Sequence, residues 1–493
     1  MVDLLDNYFA TVSKEDRNKG AIAYLAALDH INATTPEVAN TIIQELKDQR
    51  SHLKLIASEN YSSLAVQLAM GNLLTDKYAE GAPFHRFYAG CDNVDTVEDL
   101  ARSDLLKLFG ADSAYVQPHS GADANLVAFW SILVQRIQSK ELEKFQGKKL
   151  EELSREEYES IRQLLVNQKV MGLSLNSGGH LTHGYRHNVS SKMMQSVVYD
   201  VDPKTELLDY KALEEQVKRE KPLILLAGYS AYPRRLNFAH MRTIADSVGA
   251  VLMVDMAHFS GLVAGKVFVG EENPIPYAHM VTSTTHKTLR GPRGGFVLCT
   301  KEFEETLNKG CPLVLGGPLP HVIAAKAIAF KEANEPSFTT YAHKVVSNCR
   351  ALAEALKSRG IRLVTGGTDN HLAVLDLTSF NLNGRQAEIA LRDAHITVNR
   401  NAIPFDKNGP WYTSGARVGT AALTTLGMGE PEMHEIADII VDLLSSTKAS
   451  KTPSGEMSKS KSTTDAVVLE RCQKRVMEML ESFPLYKEII IPS

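Results

Sequence analysis

Leu223-Ile224-Leu225-Leu226-Ala227 is a short apolar run, followed by the amphipathic stretch Phe238 to Val248 and a second apolar run, Val251-Leu252-Met253-Val254. The polar segment Thr282 to Thr288 and a third apolar run, Gly295 to Cys299, come next. Short apolar runs separated by helical stretches predict an α/β fold with a mainly parallel sheet, whose strands are covered on both faces. Ligands of such sheets gather beyond the carboxyl ends of the strands. Asp255 closes the second run and Thr284-Thr285-His286-Lys287 follows on the next, so both are expected at that edge.

The chain has 493 residues, room for two or three domains. With 44% hydrophobic and 23% charged residues it falls outside disordered and collagen-like classes. Its 54 Lys+Arg against 58 Asp+Glu give a net charge of −4, which provides no global positive field for nucleic acid or an anionic membrane. The partners expected are small molecules and further copies of the chain. Cys91, Cys299, Cys311, Cys349 and Cys472 form no Cys-x-x-Cys pair, which argues against a disulfide framework or a thiolate zinc site and suits a reducing compartment. Met1 to Gly20 lacks the basic start and apolar stretch of a signal peptide, and no run approaches the roughly 18 apolar residues of a spanning helix. The expectation is a cytoplasmic protein.

Three regions are expected: an N-terminal helical arm over 1–52, a large domain over 53–332 and a smaller C-terminal domain over 333–493. Ile42 to Leu55 reads as an amphipathic helix that Ile56-Ala57-Ser58-Glu59-Asn60-Tyr61 breaks with polar groups. Gln135 to Lys169, rich in Glu, Lys and Gln, reads as a solvated helix or helical pair inserted at the surface. Ser445 to Asp465 reads as a mobile linker too polar to pack, ahead of a last helix from about Ala466 to Phe483.

Gly261 to Val267 is glycine-flanked, but it lacks the four-residue spacing and the Ser or Thr after lysine that a triphosphate loop needs. His180, His183 and His187 invite a metal reading. No glutamate separates the first two and Gly178-Gly179 precedes them, so a polar cofactor or substrate pocket is the better reading and no metal is expected. Val254-Asp255-Met256-Ala257-His258 and Ser283-Thr284-Thr285-His286-Lys287-Thr288, about thirty residues apart on successive strands, suit pyridoxal phosphate. That cofactor needs a Schiff-base lysine and an acidic partner for its pyridinium nitrogen. Pro118-His119-Ser120-Gly121-Ala122-Asp123-Ala124-Asn125, ahead of an apolar helical run, supplies a phosphate cup of backbone N–H groups. An ordinary surface lysine is the alternative for Lys287, against which stands its dense polar flank.

These motifs occur with others in a characteristic order. They include Leu55-Ile56-Ala57-Ser58-Glu59-Asn60-Tyr61, Lys77-Tyr78-Ala79-Glu80-Gly81, Gly178-Gly179-His180-Leu181-Thr182-His183-Gly184, Gly291-Pro292-Arg293-Gly294-Gly295, Gly366-Gly367-Thr368-Asp369-Asn370-His371 and Thr413-Ser414-Gly415-Ala416-Arg417-Val418-Gly419-Thr420. Along most of its length the chain resembles serine hydroxymethyltransferase. The resemblance implies the type I fold of pyridoxal-phosphate enzymes, with a seven-stranded sheet in the large domain and an α+β C-terminal domain. It also implies a homodimer or dimer of dimers with shared active sites, and the interconversion of L-serine plus tetrahydrofolate with glycine plus 5,10-methylenetetrahydrofolate.

By the same resemblance Lys287 forms the Schiff base, with Thr284 and His286 beside it, Asp255 meets the pyridine nitrogen, His180 stacks on the ring and His258 lies near its phenolic oxygen. Ser120, Gly121 and Ala122 wrap the phosphate, helped by Ser230 and, from the other subunit, by Tyr78 and Gly317. Arg417 and Ser58 hold the substrate carboxylate, Tyr88 reaches toward the substrate, and Glu80 exchanges a proton across the dimer. Leu175, Gly179, Leu181, Asn401, Gly409, Pro410 and Trp411 line the folate pocket. The chain departs from the family's usual wording at Ala82 to Gly90, at Pro312 to Gly317 and at Gly409-Pro410-Trp411, so the folate wall is expected to differ in shape, and at Ala122-Asp123, which removes a hydroxyl donor from the phosphate loop and places a carboxylate near it. A folate-independent aldolase or racemase of the same fold, and a non-catalytic scaffold, are the rival readings.

Overall fold

The structure, a computed structural model, describes residues 3–453 and 455–491. Its central sheet has seven strands in the order Ser113–Tyr115, Gly295–Cys299, Met280–Thr284, Val251–Asp255, Ile224–Gly228, Lys169–Leu173, Gln195–Tyr199. Only Gly295–Cys299 runs antiparallel to its neighbours. Ile224–Gly228 and Val251–Asp255 are buried at every position, which is why they appear in the sequence as unbroken apolar runs. Gly228 pairs with Asp255 at the carboxyl edge. It has φ +117°, and a Cβ there would lie 2.1 Å from the Asp255 carbonyl oxygen, so the approach of these two strands needs glycine.

Arg362–Leu363, Leu372–Asp376, Gly415–Gly419 and Asn399–Asn401 form an antiparallel four-stranded sheet, the α+β part of the chain. The helix Pro336–Ser358 joins the two sheets: Phe338, Tyr341 and Val345 enter the large core, and Leu352 and Leu356 the C-terminal core. Leu4–Thr11, Lys19–Thr34 and Pro36–Ser51 make the N-terminal arm. Arg50 fastens the other end of the chain to it by donating to the carbonyls of Leu485, Tyr486 and Ile489.

Three expectations differ from what the chain does. The helix expected to reach Leu55 ends at Ser51, and Leu53–Lys54 pairs in parallel with Ile396–Thr397. Leu53 and Leu55, expected in the large domain, thereby join the C-terminal core.

The expected mobile linker is instead an antiparallel hairpin, Thr447–Lys451 with Met457–Thr464. Its hydroxyl-rich strands dock through polar contacts: Gln386 Nε2 donates to Ser458 O at 2.6 Å, and Ser462 Oγ donates to Gln386 O at 3.0 Å. Polarity without apolar alternation hid a strand whose partners are amides and carbonyls.

In the inserted region a π turn, Val134–Gln138, leads by short turns to the helix Arg155–Val166, which begins in a Ser154/Glu157 capping box. Among the described residues no helix is long and apolar enough to cross a membrane.

Candidate active site

A cavity of about 420 Å³ opens where Val251–Asp255 and Met280–Thr284 end. Lys287 lies just past the second of these strands and is 8% exposed. Burial pushes its pKa down to about 8, against the opposing charge of Asp255 and with help from Arg417 and Arg293. About a tenth of the amine is then neutral at pH 7, far more than for an ordinary lysine.

Asp255 is held by three donors. The backbone N–H of Ala257 meets Oδ1 at 3.0 Å, while Asn125 Nδ2 at 2.9 Å and His183 Nε2 at 3.0 Å meet Oδ2. His183 Nδ1 accepts the His180 backbone N–H at 3.3 Å, so its ring proton sits on Nε2 and points at the carboxylate. Burial raises the Asp255 pKa, but the His183 bond and charge, with His180 and Asn125, outweigh it and hold the carboxyl below its usual range. His180, His183 and Asp255 bring ligand atoms within 4.8 Å of one another, a spacing open to a cation as well.

His180 is fixed from behind. Asn125 Nδ2 donates to Thr182 Oγ1 at 2.7 Å, and Thr182 Oγ1 meets His180 Nδ1 at 2.8 Å. Thr182 N–H also donates to that nitrogen at 3.2 Å, so Nδ1 is the acceptor and Nε2 carries the proton. Burial lowers the His180 pKa to about 4, which keeps the ring neutral and able to lie against a flat ligand. His258 Nδ1 lies 3.2 Å from His371 Nε2, and burial with the charges of Lys287 and Arg417 keeps His258 neutral. His286 Nδ1 is buried without a hydrogen-bond partner, and burial pushes this ring's pKa to about 3.

Arg417 comes from the C-terminal sheet, on Gly415–Gly419, and is 8% exposed. Its guanidinium donates to Asn399 Oδ1 at 3.1 Å and to Ser230 O at 2.5 Å. Burial lowers its pKa to about 10. A dry cation answered by neutral oxygens is a receptor for a carboxylate. Ser58 lines the same cavity.

Ser120 caps the helix Gly121–Leu133, its Oγ accepting the Asp123 N–H at 3.1 Å. The first-turn N–H groups of a helix attract anions. A Cβ on Gly121 would lie 2.6 Å from Thr284 Cγ2, so glycine lets this helix start close on the strand that leads to Lys287. Asp123 turns toward His119, 3.9 Å from Nδ1. An anion cradle, a lysine of lowered pKa and an ionised carboxylate on one cavity fit the phosphate, the aldehyde and the ring nitrogen of pyridoxal phosphate.

The remaining candidates lie elsewhere on the chain. Tyr88 Oη donates to Glu80 Oε2 at 3.3 Å, the rings of Tyr78 and Tyr88 stand 4.9 Å apart, and Gly317 faces Tyr78. These four form a largely exposed group that does not line the Lys287 cavity of their own chain. Leu175, Gly179 and Leu181 lie on the loop after Lys169–Leu173, where a Cβ on Gly179 would lie 1.9 Å from Leu173 O. Asn401 ends Asn399–Asn401, and Gly409, Pro410 and Trp411 follow on a loop, with Trp411 under the Arg400 guanidinium at 5.2 Å. Glu59 and Arg293, motif residues given no role of their own from sequence, and Tyr229 also line the cavity, and Asn125 and His183 act behind it. Asn125 was signalled as a polar residue inside an apolar helical run, and His183 by its place in the histidine trio read as a cofactor or substrate pocket.

The family model described as serine hydroxymethyltransferase matches residues 31–161 and 146–440. A serine hydroxymethyltransferase of Treponema pallidum is 58% identical over 485 residues, covering 98% of this chain and 84% of the relative. One of Chlamydia trachomatis is 56% identical over 491 residues, 99% of each chain. One of Salinispora tropica is 56% identical over 472 residues, 96% of this chain and 99% of the relative. With the family model and these relatives running through Lys287, Asp255 and Arg417 alike, the chain belongs to the serine hydroxymethyltransferase family.

Proposed function

We propose that Lys287, Asp255, His180 and Arg417 carry out the reaction of this chain, the reversible interconversion of L-serine and tetrahydrofolate with glycine, 5,10-methylenetetrahydrofolate and water. The supporting observation is that three buried charged groups from three separate segments face one cavity: Asp255 at the end of its strand, Lys287 just past the next strand, and Arg417 within the C-terminal sheet. Pyridoxal phosphate, when bound, supplies an electron sink for the pair left on the amino-acid α-carbon. Asp255, ionised and braced by His183 and Asn125, would hold a proton on the ring nitrogen. Arg417 would grip the substrate carboxylate in two-pronged fashion and so set which bond at the α-carbon stands across the ring. Lys287 Nζ would attach the cofactor and, once released, take or return a proton at the α-carbon.

Glu80, Tyr78, Tyr88 and Gly317 complete the site of a second copy in a homodimer, a reading supported by their mutual contacts outside the Lys287 cavity and by the exposure of Tyr78 and Tyr88, with Phe84 and Phe87 exposed in the same stretch of chain. There Glu80 would exchange a proton with the serine hydroxyl or the folate. Leu175, Leu181, Asn401 and Trp411 would form the folate wall. Five unpaired cysteines support a cytoplasmic setting.

Glycine formation from L-serine, measured with and without tetrahydrofolate, tests the assignment. It should depend on folate, vanish in Lys287→Ala and lose about a hundredfold in kcat/KM for serine in Arg417→Lys, because a point charge cannot replace the two-pronged grip. Turnover indifferent to folate would overturn the transferase reading in favour of an aldolase or racemase, and an unaffected Arg417→Lys would remove Arg417 from the carboxylate.

A further inference from the structure

Lys326 lies in the helix Pro320–Ala333 and is 1% exposed. Its Nζ donates to three backbone carbonyls, those of Val116 at 2.6 Å, Pro118 at 2.9 Å and Gly295 at 2.9 Å. Three acceptors at these distances take three N–H donors, which the ammonium has and the neutral amine lacks. Burial pushes the pKa down to about 7, with Glu98 and Asp123 opposing. Keeping a charge this dry is costly, and an apolar side chain would fill the helix face more cheaply.

The three carbonyls belong to the segments that carry the two ends of the cofactor site. Val116 and Pro118 lead from the strand Ser113–Tyr115 to Ser120, the cap of the anion cradle. Gly295 pairs with Thr284, three residues before Lys287. These segments touch without slack: Gly295 N–H donates to Pro118 O at 3.0 Å, and a Cβ on Gly295 would lie 2.3 Å from Ser120 O. On the helix side, a Cβ on Gly294 would lie 2.5 Å from Lys326 Cε.

We infer that Lys326 is a positioning residue for the cofactor: by clamping the carbonyls of Val116, Pro118 and Gly295 it holds the Ser120–Ala122 cradle at a set distance from Lys287. One rigid ligand can then engage both ends at once. Neither Lys326 nor the residues whose carbonyls it binds line the cavity, so the clamp acts through the backbone and not by contact. The inference rests on the reading of Ser120–Ala122 as the phosphate cradle.

Equilibrium binding of pyridoxal 5'-phosphate and of pyridoxal to the full chain stripped of cofactor tests it. Wild type should prefer the phosphorylated ligand. Lys326→Met should weaken pyridoxal 5'-phosphate by about tenfold or more, the scale of a lost charged hydrogen-bond set, while pyridoxal, which engages the Lys287 end, changes by less than about twofold. Gly294→Ala keeps the lysine but crowds its Cε, and should show the same selective loss, so the test survives a Lys326→Met chain that does not fold. Equal losses for the two ligands, or none, would overturn the clamp. A wild type indifferent to the phosphate would overturn the cradle reading itself.

Discussion

His183 Nε2 and Asp255 Oδ2 meet at 3.0 Å, with the direction of the bond set by the His180 backbone N–H on the far side of the His183 ring. The carboxylate is thus held ionised by hydrogen-bond donors on both oxygens, and it can present a negative charge to a ring nitrogen. Asp255→Asn keeps the shape and removes the charge. It should lower kcat for serine by about a hundredfold or more, the scale of losing one preorganised electrostatic partner. His183→Gln should cost less, about tenfold, and adding it to Asp255→Asn should cost little more, because it acts through the carboxylate. Additive losses would show that His183 works independently of Asp255.

Lys287 gives a pH dependence whose sign is set by burial. Its pKa in the folded chain is lowered to about 8, so the reactive neutral amine accumulates as pH rises through that value. The rate of pyridoxal phosphate capture by cofactor-free protein should rise with an inflection near pH 8 and level off above it. In Asp255→Asn the inflection should move to lower pH, because the charge opposing the shift is gone. Between the folded and unfolded values the unfolded chain binds the extra proton, so this group's contribution to stability grows with pH across that window. An inflection close to the ordinary lysine value would contradict the burial argument.

The α/β sheet was legible in the sequence because Ile224–Gly228 and Val251–Asp255 are buried on both faces and so read as continuous apolar runs. Lys287, Asp255 and Ser120 were legible for a related reason: polar residues at the ends of such runs stand where ligands bind. Arg417 could be placed by family resemblance alone, since its contact with Ser230 brings a strand of the C-terminal sheet to the loop after Ile224–Gly228, far away in the chain. His183 was legible as part of a polar pocket and Asn125 as part of the Pro118–Asn125 segment, but their bracing role was not, because it acts through Asp255 and Thr182 and such contacts join elements far apart in the chain. The hairpin at Thr447–Thr464 escaped because its contacts are polar.

Gln386 carries much of that hairpin's attachment. It is buried, donates to Ser458 O at 2.6 Å and accepts the Asn383 N–H at 2.8 Å. Gln386→Ala should cost about 1–3 kcal/mol, because it leaves a buried carbonyl unanswered, and should lower the melting temperature by a few degrees. Tryptic cleavage at Lys451, Lys459 or Lys461 should become faster in the variant. Unchanged cleavage would mean that the helix Gly384–Asp393 is not what holds the hairpin.

Glu80 and Lys287 belong to different groups within one chain: Glu80 sits with Tyr88 at the exposed aromatic surface, and Lys287 lines the cavity. If each cavity is completed by a second copy, defects in the two groups must complement in trans. Glu80→Ala and Lys287→Ala homodimers should each be inactive, and a one-to-one mixture allowed to exchange subunits should recover about a quarter of the wild-type activity. That fraction follows from geometry, since half of randomly paired dimers are mixed and each of these carries one intact site. Activity measured against mixing time, with subunit exchange followed separately by a mass tag on one variant, provides the check. No recovery after complete exchange would place Glu80 in the cavity of its own chain and remove the basis for a shared site.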